Sequence, residues 1–148
     1  MGAWGVTTFD NDTAMDFLDI MESSPAGEGS DEEPGRDALL MMTLMRAADP
    51  DDGADADAAT EGLAAAELIA AINGKPQEAL ADTLESFQDL QDWIATGKIA
   101  FRKKKPAVDL AHKAITRVLS SELNDLWAES DDYQAWLDTV KDLQKRLG

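Results

Sequence analysis

The sequence predicts an all-α fold: a single-domain bundle of about six or seven helices behind a short non-helical N-terminal arm. Three observations predict it. Apolar residues recur at helical spacing in segment after segment. Short runs rich in Gly, Pro, Ser and Asp separate those segments. A chain of 148 residues that is 44% hydrophobic is long enough, and apolar enough, for one core without staples.

The arm comes first. Gly2 and Gly5 flank Trp4, and Val6-Thr7-Thr8-Phe9 is β-branched and aromatic, which suits an extended arm or a short strand. A helix is expected from Thr13. Asp16 three residues on resembles a capping box, and Asp10, Asn11 and Asp12 place acceptors and negative charge at the positive helix end. Ala14, Phe17, Leu18 and Met21 then share one face.

Ser23 to Gly35 reads as a solvated acidic loop, and Pro34 suits the first turn of the next helix. The run from Ala38 to Met45 is apolar almost all round, so this helix is expected at the centre of the bundle. A second acidic loop spans 49–57. An alanine-rich helix follows, roughly Ala58 to Asn73, and Asn73-Gly74 with Pro76 ends it. Leu80, Leu84, Phe87, Leu90, Trp93 and Ile94 mark the next helical stretch, with a break expected near Asp82-Thr83.

Residues 98–106 form the one basic linker. Ile99 and Phe101 alternate in it, which allows a short strand. Val108, Ala111, Ile115 and Val118 mark a helix after Pro106. Leu123, Leu126 and Trp127 mark a short one. The last is the cleanest, with Tyr133, Trp136, Leu137, Val140, Leu143 and Leu147 on one stripe.

Charge excludes more than it identifies. Thirty acids face 13 bases, for a net −17. Residues 1–62 hold 16 acids and two bases, whereas 98–106 hold five bases and no acid. A polyanion repels nucleic acid and anionic lipid, so neither is an expected partner. No apolar stretch reaches the length of a membrane span, and the N-terminus lacks a signal peptide's basic and apolar regions. A cytoplasmic location is the expectation. With no cysteine and a single histidine, thiolate chemistry and nitrogen- or sulfur-rich metal sites are set aside, and no cofactor is implied.

His112 shares a helical stripe with Asp109 and Thr116. That is either a general base or a surface neighbourhood, and the latter is the commoner meaning of such spacing. Asp49, Asp51, Asp52, Asp55 and Asp57 are spaced like a calcium loop. The EF-hand register fails, because Gly53 falls at its fifth position and Thr60 at its twelfth. There is no phosphate loop, dinucleotide fingerprint or nucleophile elbow. The basic run Arg102-Lys103-Lys104-Lys105 is expected to neutralise acidic helices of this chain or of a partner.

Met1-Gly2-Ala3-Trp4-Gly5, then Phe9-Asp10-Asn11-Asp12 and Ala14-x-Asp16-Phe17, resemble the opening of a bacterial family catalogued as a domain of unknown function. Ser121-Glu122-Leu123-Asn124-Asp125-Leu126-Trp127-Ala128-Glu129-Ser130 is similar to its C-terminal signature, and Asn73-Gly74-Lys75-Pro76 matches in the middle. Phe17 stands where that family has Trp. The resemblance implies no activity. It singles out Trp4, Asp10, Asn11, Asp12, Trp127 and Glu129 as ligand- or partner-binding candidates, with Trp4 expected beside Trp127. No catalytic residue is assigned.

Two functions are carried forward. One is a non-enzymatic protein that binds another protein, a basic one by charge, in a regulatory or toxin-neutralising role. The other is an enzyme or a divalent-cation or small-ligand binding module that uses a carboxylate cluster around Asp10, Asn11, Asp12 and Glu129, with Mg²⁺ or Ca²⁺ as candidate metals.

Overall fold

The computed structural model describes residues 5, 7–27, 29–30, 32–49, 51, 55–97 and 99–148. Among the described residues eight helices run in chain order: α1 (Asp12–Ser23), α2 (Arg36–Ala48), α3 (Ala56–Ile72), α4 (Leu80–Leu84), α5 (Gln88–Thr96), α6 (Lys105–Val118), α7 (Glu122–Ala128) and α8 (Tyr133–Leu147). No strand occurs among the described residues. The extended possibilities at Thr7–Phe9 and Ile99–Phe101 are turns instead. The count exceeds the expected six or seven because the stretch after Pro76 divides into α4 and α5. The division falls at Glu85–Phe87, after the expected Asp82-Thr83.

The bundle is built around α3, not α2. Every residue from Gly62 to Ala70 is buried, and α3 packs against α1, α2, α5, α6, α7 and α8. Small side chains explain this. A helix of alanines presents no bulky ridge, so neighbours approach it from every side. Gly62 allows a close approach: a Cβ there would lie 2.3 Å from the Cβ of Ala47 on α2. On α2, by contrast, only Arg36, Leu40, Leu44 and Ala47 are buried. Met42 is 56% exposed and Met45 60%. Its run of large apolar residues therefore supplies one face to the core and leaves the other in solvent.

Capping explains the other boundary differences. α1 starts at Asp12, before Thr13, because Asn11 is its N-cap: Asn11 Oδ1 accepts from Ala14 N at 2.8 Å. Asp55 caps α3 in the same way through Ala58 N. Pro34 lies ahead of the α2 N-cap, Gly35. Lys105 and Pro106 belong to the first turn of α6, where proline gives up no helical bond. At its other end α3 stops in a Schellman motif. Gly74 takes a φ of 88°, and Lys75 N donates to Ala70 O while Gly74 N donates to Ala71 O.

Long polar side chains lace helix ends together. Arg36 donates to Met21 O and Glu22 O at the end of α1 and lies over the Trp93 ring. Glu22 accepts from Asp89 N and Leu90 N at the start of α5. Arg102 donates to Ile72 O at 2.7 Å and Ile94 O at 2.8 Å, tying the ends of α3 and α5. The basic segment is thus in part a capping device. Within it Lys105 pairs with Asp109, one turn on.

A cavity under the N-terminal arm

Thr7 and Thr8 of the arm, the start of α1, the first turns of α3, and α7 and α8 come together around one space. They border a partly open cavity of about 210 Å³ lined by Thr7, Thr8, Asn11, Thr13, Ala56, Asp57, Thr60, Leu63, Leu123, Leu126, Trp127 and Trp136. A dry engineered cavity of about 150 Å³ admits benzene, so this space suits one six-membered ring with a short substituent.

Local structure sets each wall. Asp10 folds the arm into a turn by accepting from Thr7 N at 3.2 Å and Thr7 Oγ1 at 2.6 Å. Asn11 Nδ2 donates to Thr8 O at 3.1 Å while its Oδ1 caps α1, so one side chain fixes the arm and starts the helix. The aromatic wall is a stack. Trp127 and Trp136 lie 5.9 Å apart at 10°, and Tyr133 stacks on Trp136 at 6.2 Å and 19°. Such contacts each add about 0.5–1.5 kcal/mol beyond burial. Tyr133 Oη also donates to Asn124 Oδ1 at 2.9 Å, fixing α8 to α7.

Behind the cavity lies a buried charge. Glu67, on α3, is 0% exposed. Arg146, on α8, holds it with Nη2 on Oε1 at 2.8 Å and Nη1 on Oε2 at 2.9 Å. Thr8 Oγ1 donates to Oε1 at 3.4 Å, so the carboxylate also reaches the arm. Burial raises the Glu67 pKa above the usual glutamate value; the bonds from Arg146 and Thr8 pull the other way without cancelling it. Arg146 is held charged by Glu67 and by Asp142, 2.7 Å from its Nε, although its own burial opposes this.

The structure brings some of the sequence candidates together. Asn11 and Trp127 both line the cavity. Asp10 shapes the arm through Thr7. Asp12 is exposed in the first turn of α1, and Glu129 is exposed at the C-cap of α7. Trp4, and with it the expected Trp4–Trp127 contact, lies outside the described residues. No group of three or more His, Cys, Asp or Glu residues among the described ones could hold a metal ion. In the second acidic loop, Asp55 is committed to its capping role and Asp49 Oδ1 accepts from Asp51 N. His112 Nε2 lies 2.8 Å from Gly148 O, while Asp109 faces Lys105, so the His–Asp pairing does not form.

Glu67 and Thr60 escaped the sequence reading. Glu67 had a legible signal, as the one charged residue between Gly62 and Ile72. A lone acid in an otherwise apolar helix needs a partner. Thr60 had none, since a threonine one turn into a helix is ordinary.

No helix among the described residues is long and apolar enough to cross a membrane. No curated protein and no solved structure matches the chain. The family model described as domain of unknown function (DUF4259) matches residues 2–139. That span covers the arm, the central helix, α7 and the first part of α8 with Trp136, and the chain belongs to this family.

Proposed function

We propose that this protein is a small-molecule binding module whose ligand occupies the cavity beneath the N-terminal arm. One observation carries the reading: a ring-sized space bounded by tryptophan on one side and by threonine hydroxyls and Asn11 on the other. Binding sites combine apolar walls with a few fixed polar groups in this way. The walls are also set before any ligand arrives, because Asp10, Asn11 and the Glu67–Arg146 pair are committed to holding them. Preformed walls lower the ordering cost of binding.

The test is thermal unfolding with increasing benzyl alcohol, a ring-sized probe. The melting midpoint should rise with probe concentration by mass action. Leu126→Trp, which fills the cavity from α7, should melt cooperatively and show no rise. An unchanged midpoint in the parent protein, or an equal rise in the variant, contradicts the reading.

A protein partner is a second reading, supported by a different feature. Met42 and Met45 stand exposed on α2, and Met45 borders a shallow surface with Pro106 and Leu110. Methionine suits adaptable contact surfaces, and the acidity of residues 1–62 would steer a basic protein towards the chain. A stoichiometric basic protein that co-purifies at low salt and is lost in Met42→Lys/Met45→Lys would support this. Equal retention by parent and variant would count against it.

A further inference from the structure

We infer that the ligand of this cavity is a neutral, polyhydroxylated six-membered ring, with the size and chemistry of one pyranose sugar. This rests on the cavity being a binding site, and adds the class of molecule that enters.

The inference comes from the mixed character of the polar wall. A threonine hydroxyl has one hydrogen and two acceptor lone pairs. Thr7 Oγ1 gives its hydrogen to Asp10, Thr8 Oγ1 to Glu67 and Thr60 Oγ1 to Ala56 O, so these three hydroxyls offer a ligand acceptors. Asp57 adds an exposed carboxylate. Donors stand among them. Asn11 spends one amide hydrogen on Thr8 O and keeps the other. The Thr13 hydroxyl and the indole N–H groups of Trp127 and Trp136 also belong to the lining, uncommitted to any other described residue.

Charge favours neither sign. The starts of α1 and α3 attract an anion, and Asp12 and Asp57 in those same turns oppose one. No Lys, Arg or His lines the space. An ammonium cannot accept from the N–H groups, and a carboxylate cannot donate to the threonine lone pairs. An ion of either sign therefore leaves part of the wall unpartnered and loses its hydration without full compensation. A ligand hydroxyl donates and accepts, so it suits both kinds of neighbour.

The layout selects the shape. Polar side chains reach the cavity from three elements: Thr7 and Thr8 from the arm, Asn11 and Thr13 from the start of α1, and Asp57 and Thr60 from α3. Everything that α7 and α8 contribute is leucine or tryptophan. A saturated ring sends hydroxyls out in several directions and keeps C–H groups on its faces for an apolar wall. A flat heteroaromatic ring holds its polar atoms in one plane and serves fewer of the three elements.

The experiment is ¹H–¹⁵N titration of the full chain with four uncharged probes: methyl β-glucopyranoside, methyl β-galactopyranoside, methyl α-mannopyranoside and benzyl alcohol. At least one glycoside should bind about tenfold tighter than benzyl alcohol, because it forms several more hydrogen bonds. Sodium chloride should leave that affinity unchanged. Thr13→Val, of equal shape but without the hydroxyl, should keep the melting midpoint and weaken the glycoside about fivefold. Leu126→Trp should abolish its binding. Glycosides that bind no tighter than benzyl alcohol, or as tightly to Thr13→Val as to the parent, overturn the sugar assignment and leave the cavity reading standing. Glycoside binding that survives Leu126→Trp lies elsewhere and overturns the assignment too. Failure of all four probes to bind overturns both.

Discussion

Arg146 on α8 grips Glu67 on α3 through two hydrogen bonds of 2.8 and 2.9 Å, across 79 positions of chain. Thr8 adds the arm to the same carboxylate. Three parts of the molecule that are remote in sequence thus converge on one buried charge, which fixes the arm, and with it the roof of the cavity.

Breaking that grip from one side should be costly. Arg146→Met strands an ionised or reprotonated carboxylate in the core and should destabilise by about 3–5 kcal/mol. Replacing both partners, Glu67→Met with Arg146→Met, should restore most of that stability, because apolar residues of similar size need no compensation. Urea unfolding midpoints of the parent, single and double variants check this. A double variant as weak as the single one would contradict it.

The same carboxylate makes stability depend on pH. Its pKa is raised by burial above the ordinary 4.5. Between that value and the higher folded one, the native state keeps a proton that the unfolded chain has released. Stability contributed by Glu67 is therefore fully present below 4.5 and declines as pH rises through the folded pKa. Glu61, half-buried and raised by burial against the pull of Arg46, has the same sign. Unfolding midpoints measured from pH 4.5 to 7.5 should fall less steeply in Glu67→Gln than in the parent. Parallel curves would show that Glu67 does not titrate differently in the folded state.

Gly62 tests the packing of α2 on α3. A methyl group there would lie 2.3 Å from the Ala47 Cβ. Both atoms belong to packed helices, so neither can rotate away. Gly62→Ala should cost about 1–3 kcal/mol by overpacking, despite alanine's better helix propensity. Adding Ala47→Gly removes the opposing methyl and should return part of the loss. A stable Gly62→Ala would mean the two helices lie further apart.

The sequence made helices legible wherever one apolar stripe faces a core, as in α8, where Trp136, Val140, Leu143 and Leu147 are all buried. It misdirected the search for the centre, because the bulk of Met41, Met42 and Met45 looks more central than the alanines of α3. Burial on all sides depends on how closely neighbours approach, and Gly62 against Ala47 is a property of two helices together. The cavity was legible in part. Asn11 and Trp127 stood out as unusual residues near the two chain ends, but Thr7, Thr60 and Leu126 become wall only where the arm, α3 and α7 come together. The Glu67–Arg146 pair was hidden for a similar reason: Glu67 is conspicuous, but nothing in 79 positions of chain marks Arg146 as its partner.

The most direct test of the central claim is a ¹H–¹⁵N titration of the labelled protein with benzyl alcohol. Binding beneath the arm predicts saturable shifts at Thr8, Asn11, Thr60 and the Trp127 indole, with Lys103, Lys104 and Lys105 unmoved. Shifts confined to other surfaces, or none at the Trp127 indole at saturation, would contradict a ligand site under the arm.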